Sequence, residues 1–143
     1  MAIDTRHDVR YGFGVRTRFP YDEAVALTKE KLKEEGFGVL AEIDVKRTMK
    51  EKRGIDFRPY VILGACNPPL AEKAFEAEID IGLLLPCNVV VYATDDGGSI
   101  VAAMDPDVAL GVVGERPDLA PVAAEAKQRL RRVIDRVGAA VSV

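Results

Sequence analysis

Histidine, cysteine, serine and side-chain amides are all scarce in this sequence of 143 residues, and tryptophan is absent. The single histidine, His7, lies in an opening stretch without periodicity and cannot furnish a His-rich metal site or a Ser-His-Asp triad. Candidate serine nucleophiles reduce to Ser99, beside a turn signal, and Ser142, near the end. Two cysteines, Cys66 and Cys87, do not make a disulfide framework in a chain of this size, so a reduced, cytoplasmic protein is expected. No apolar run approaches the roughly 18 residues that a membrane span needs. The longest, Ile79–Leu85 and Val89–Ala93, have strand or loop length. No charged-then-apolar leader opens the chain, so no signal peptide is expected. The amides are confined to Asn67, Asn88 and Gln128, while Arg and Glu are plentiful. That usage fits a thermophile or a biased genome composition.

What is present is the balance of a soluble globular domain: 48% apolar and 30% charged residues, with a net charge of −3. The length suits one domain, read as a tail over residues 1–8 and a single fold over residues 9–143. The acidic balance argues against a dedicated nucleic-acid binder.

Tyr11, Phe13, Val15, Thr17 and Phe19 alternate with Arg10, Gly12, Gly14, Arg16 and Arg18, which predicts a strand with one aromatic face. Pro20 breaks it, and Tyr21, Ala24, Val25, Thr28 and Leu32 then share one helical face up to a stop at Gly36. Phe37–Val45 reads as a second strand, Lys46–Arg53 as a short basic helix, and Tyr60–Cys66 as a third strand. Pro68-Pro69 opens a short helix through Glu78, followed by an apolar loop, Ile79–Pro86. Cys87–Thr94 and Ser99–Met104 form a hairpin around Asp95-Asp96-Gly97-Gly98, where glycine supplies positive φ. A loop follows Asp105-Pro106. The last helix carries Leu119, Val122, Ala123, Ala126, Leu130, Val133, Ile134 and Val137 on one stripe, and Gly138 is read as its stop. Irregular alternation with a hairpin gives an α+β, two-layer architecture.

One feature is unusual for a sheet covered on one side. The third to fifth strands are apolar on both faces: Val61, Leu63 and Ala65 oppose Tyr60, Ile62, Gly64 and Cys66, and Val89, Val91 and Ala93 oppose Val90, Tyr92 and Thr94. A second copy of the chain is expected to cover part of the second face, making a homodimer. Another part of the chain or an apolar ligand would serve too.

Four residues form the leading candidate site. Cys66 ends the third strand and Cys87 starts the fourth, so antiparallel neighbours would bring both thiols to one end of the sheet. Such a pair could do redox chemistry, carry sulfur, hold a soft metal or simply pack as small apolar groups. Pro68 opens a helix just after Cys66, a placement that would favour the thiolate. Asn67 and Asn88 each follow a cysteine and could read a ligand or cap local backbone. Arg10, Arg16 and Arg18 form a basic strip that could hold an anion, or could guard an edge strand against aggregation. Lys46–Arg53 could touch nucleic acid, although a solvated helix face explains it as well. Asp95, Asp96 and Asp105 are accounted for by turn chemistry. No metal set is read, and no cofactor is called for.

The segments Val61-Ile62-Leu63-Gly64-Ala65-Cys66-Asn67-Pro68 and Leu84-Leu85-Pro86-Cys87-Asn88-Val89-Val90-Val91, with Ala71 between them, resemble the prokaryotic family named domain of unknown function 302. The Tyr11–Phe19 strand and Glu42-Ile43-Asp44-Val45 are similar to it too, and the likeness runs from about Val9 to Val137. The resemblance implies a β-α-β4-α fold of TATA-box-binding-protein-like architecture: a curved antiparallel sheet with two main helices on one face. It implies no activity, and fold analogy to a DNA-binding group transfers none. The expected function is therefore a small homodimeric binding or regulatory protein with an apolar pocket on or near the sheet. A thiol-dependent enzyme or sulfur carrier using Cys66 or Cys87 is the alternative, and a nucleic-acid-binding module the third reading.

Overall fold

The computed structural model describes residues 5–140. Ser142 and the first four residues of the expected tail lie outside them. The elements are β1 (Gly12–Thr17), α1 (Tyr21–Glu34), β2 (Gly38–Asp44), α2 (Val45–Arg53), β3 (Tyr60–Cys66), α3 (Pro68–Ala77), a 3-10 turn (Ile79–Leu83), β4 (Cys87–Ala93), β5 (Ser99–Met104), α4 (Pro106–Gly111) and α5 (Ala120–Ala139). The five strands form one antiparallel sheet in the order β1-β5-β4-β3-β2. The two long helices, α1 and α5, pack against each other and against the same face of the sheet. The α+β, β-α-β4-α reading is what the chain adopts.

The periodicities explain this packing. Leu63, Val89, Val91 and Val101 project from one side of the sheet and are fully buried against Leu32 of α1 and Leu130, Val133, Ile134 and Val137 of α5. A smaller cluster joins Leu70 and Ala74 of α3, Ile81, Leu110 of α4, and Val122, Ala123 and Ala126 at the start of α5. Gly36 ends α1 with φ +84°, a conformation that L side chains rarely adopt. Gly14 has a different reason: a Cβ there would lie 2.8 Å from the Ala102 Cα on β5, so β1 can approach β5 only without a side chain.

Several expectations need correction. Residues after Asp105 form α4 rather than a loop, because the Asp105 carboxylate accepts from the Asp107 N–H at 2.9 Å and Pro106 occupies the first helical position. Half of the apolar stretch Ile79–Pro86 coils into the 3-10 turn. Gly138 does not stop α5, which runs on to Ala139 with Gly138 close to Val15 of β1. β1 ends at Thr17, and both its glycines are buried, so its two faces are less distinct than the alternation implies. Residues 5–9 run beside β1, with the His7 N–H donating to the Gly14 carbonyl at 2.8 Å and the Arg16 N–H to the Thr5 carbonyl at 2.7 Å.

The second sheet face receives part of its cover from the chain itself. Tyr60 and Tyr92, paired across β3 and β4, stack with centroids 5.1 Å apart. Phe57 leans on Tyr60, and the His7 ring meets Tyr92 edge-on with its Nε2 3.3 Å from the phenolic oxygen. Ile100 is buried at this end. Towards the other end, Ile62, Val90, Ala102 and Met104 remain half-buried and Ile43 is exposed.

Candidate functional site

The site begins with strand register. Ala65 of β3 stands opposite Cys87 of β4, so Cys66 and Cys87 occupy one end of the sheet on neighbouring antiparallel strands. Alternation turns Cys87, like Ala65, towards the helices and Cys66 towards the other face. Both thiols nevertheless line one cavity of about 300 Å³, because the cavity wraps around the end of the sheet. Its walls are Leu70, Ala71, Ala74 and Phe75 of α3, Leu85 and Pro86 before β4, Leu110 of α4, and Val122 and Ala126 of α5. Leu40 and Phe75 stand at its edge, 72% and 40% exposed. Leu40 is the irregular residue where β2 slips register between Val39 and Ala41, which leaves its side chain free of the regular pleat.

The two cysteines differ in environment. Cys87 is buried; its thiol is pushed up to about 11 by burial, with Cys66 adding to the rise. Cys66 is only partly buried. Both are free.

Asn67 is engaged as a cap. Its Oδ1 accepts from the Leu70 N–H at 3.3 Å and its Nδ2 donates to the Glu35 carbonyl at 3.4 Å. The first turn of α3 therefore has little to offer a ligand. Pro68 and Pro69 carry no N–H, the Leu70 N–H is taken by the Asn67 side chain, and the Ala71 N–H donates to the Asn67 carbonyl at 2.9 Å. The helix start expected to favour a Cys66 thiolate has its amides already spent.

Behind Asn67, the Glu35 carboxylate is clamped by α5. Arg132 Nε donates to Oε1 at 3.0 Å, and Arg136 Nη1 lies 2.8 Å from Oε2. Arg129 donates to the Glu35 carbonyl at 3.1 Å and to Glu125 at 3.0 Å. The hydrogen bond from Arg132, with the charges of the three arginines, holds the Glu35 carboxyl below the usual range. This clamp, which sequence reading missed, ties α1, α5 and the cap of α3 into one support for the cavity wall. Glu35 beside the Gly36 stop, and four arginines at the end of α5, were its only visible signals.

The remaining candidates separate. Asn88 is exposed, stands opposite Gly64 and lies outside the cavity. Arg16 and Arg18 line a separate recess of about 480 Å³ with Thr5, Thr17, Asp96 and the Gly97-Gly98 turn, while Arg10 does not. Asp96 is held below its ordinary range, first by the Thr94 hydroxyl, then by the Gly98 N–H, with Arg16 contributing. In α2, Arg47 pairs with Glu51, Lys50 with Asp56, and Lys46 donates to the Phe57 carbonyl, which is how a solvated helix satisfies its charges. Among the described residues, no group of three or more His, Cys, Asp or Glu is placed to hold a metal ion. Nor is any helix among them long and apolar enough to cross a membrane.

Comparison with known proteins agrees with the fold. The family model for the domain of unknown function DUF302 matches residues 13–137. The crystal structure of an uncharacterized conserved protein DUF302 from Bacillus stearothermophilus is similar, with a TM-score of 0.81 and 33% sequence identity, over 90% of this chain and 99% of that one. No curated protein matches the chain.

Proposed function

The chain belongs to the DUF302 family, a domain of unknown function, and from that premise we propose that it is a small binding protein that holds an apolar molecule in the cavity at the end of β3 and β4. The observation that carries this reading is the cavity itself: about 300 Å³, lined almost wholly by apolar side chains and edged by an exposed Leu40 and Phe75. Ligand sites are concave, mostly apolar and few per protein. Large apolar side chains left in water beside such a recess mark a surface meant to be covered.

The direct test is titration with N-phenyl-1-naphthylamine, a neutral fluorophore that brightens in apolar surroundings. The expected result is saturable binding to one site per chain, lost when Ala71→Phe places a phenyl ring in the space. Fluorescence that never saturates, or that Ala71→Phe leaves unchanged, would remove the cavity as the site.

The thiol reading is kept as a second one, because Cys66 is the partly exposed member of a cysteine pair on the cavity wall. It requires Cys66 to react with iodoacetamide faster than free cysteine near neutral pH. A homodimer is part of the first reading: a second copy would cover Ile62, Val90, Ala102 and Met104, and a reducing cytoplasm would keep both thiols free.

A further inference from the structure

We propose that the cavity selects neutral ligands and rejects anions, so that its occupant is an uncharged apolar molecule held beside Cys66. The inference rests on the binding reading above and specifies its ligand class.

The argument is an inventory of donors. An anion in a protein needs a cation or free N–H groups. Among the described residues lining the cavity none carries a charge. The one polar amide there, Asn67, spends its oxygen on the Leu70 N–H and one of its two amide N–H groups on the Glu35 carbonyl, so that at most a single neutral N–H is left and no cation. A helix start would ordinarily supply anion-binding amides. Here Pro68 and Pro69 have none to give, and those of Leu70 and Ala71 are consumed by Asn67. The cations behind Asn67, Arg129 and Arg132, are committed to Glu35 and Glu125. An ionised group would keep its hydration only by staying out at the mouth, beside the exposed Leu40 and Phe75, and not inside the cavity. Of the two cysteines in the lining, Cys87 is buried and Cys66 is the partly exposed one, a soft, polarizable neighbour for a neutral occupant.

The experiment uses a shape-matched pair, 2-naphthylmethanol and 2-naphthoate, to displace N-phenyl-1-naphthylamine from the full chain at pH 7. The expected result is that the alcohol displaces the probe at a concentration at least ~10-fold lower than the carboxylate, since an unpaired ionised group is costly to desolvate. In parallel, the alcohol and not the carboxylate should slow alkylation of Cys66 by iodoacetamide, a measurement on the unmodified sequence that does not depend on a variant folding. Equal potency, or tighter binding of the carboxylate, would overturn the inference and leave the binding reading standing. If N-phenyl-1-naphthylamine itself fails to bind, the binding reading falls and this inference falls with it.

Discussion

Replacing Glu35 with glutamine tests the support on which the cavity wall stands. The carboxylate is 6% exposed, with Arg132 Nη2 2.9 Å and Arg136 Nη1 2.8 Å from its oxygens and Arg129 Nη1 at 3.9 Å. Breaking a fully buried ion pair by removing one partner costs roughly 3–5 kcal/mol. Here the arginine side chains are 33–44% exposed, so they rehydrate when the charge is lost and solvent already screens part of the attraction. Glu35→Gln should therefore cost about 2 kcal/mol at pH 7, or roughly 5–8 °C in Tm for a chain of this length. The pH dependence follows from the direction of the shift. The folded-state carboxyl lies below its ordinary value of 4.5, so its contribution is complete above that pH and is lost as pH falls through the folded-state value. Urea denaturation of wild type and variant at pH 7 and pH 3 reads this directly: the gap should be full at pH 7 and shrink at pH 3. Two proteins within ~0.5 kcal/mol at pH 7, or a gap that stays constant down to pH 3, would refute the reasoning.

Three further outcomes are expected. At pH 8, iodoacetamide should label Cys66 first and spare Cys87 until the chain unfolds, because a thiol pushed up to about 11 is ionised in only ~1 molecule in 1,000 at that pH; peptide mapping separates the two. Asn67→Ala should cost about 1 kcal/mol by loss of the α3 cap and raise the labelling rate of Cys66, both measured on the same sample. Gly14→Ala should destabilise by more than Gly138→Ala when their urea midpoints are compared, because the new methyl at position 14 meets β5 backbone, whereas at position 138 it meets only the Val15 side chain, at 3.1 Å.

How much was legible depended on whether the signal was local. β3 and β5 have the boundaries read from sequence, because Pro68 closes one and Gly97-Gly98 with Asp105 brackets the other. That β3 and β4 are antiparallel neighbours, which brings Cys66 and Cys87 to one end of the sheet, was only a condition in the sequence, and for Asn67 capping stood beside a ligand-binding reading; the structure supplies the pairing and the cap. α4 was missed although Asp105-Pro106-Asp107 is a helix start, because six residues give too little apolar period to outweigh a turn reading. Gly138 was misread because glycine inside a helix costs only about 1 kcal/mol, which the packing of Val133, Ile134 and Val137 outweighs. An apolar pocket on or near the sheet was expected, but its position was not legible: it is space left between β3, α3, α4 and α5, and Leu40 becomes its edge only through a register slip in β2. Asn88 looked equivalent to Asn67 in sequence and is not, since Asn67 lies beyond the end of β3 and caps α3, whereas Asn88 lies within β4 opposite Gly64 and outside the cavity lining.

The central claim is that an apolar ligand sits between α3 and the end of the sheet. Methyl NMR of the protein titrated with 2-naphthylmethanol tests it most directly. The account predicts saturable shifts at the methyls of Leu70, Leu85, Leu110 and Val122, which line the cavity, and none at Ile62 and Val90 on the open sheet face. Shifts concentrated on Ile62 and Val90, or none at all at saturating ligand, would contradict it.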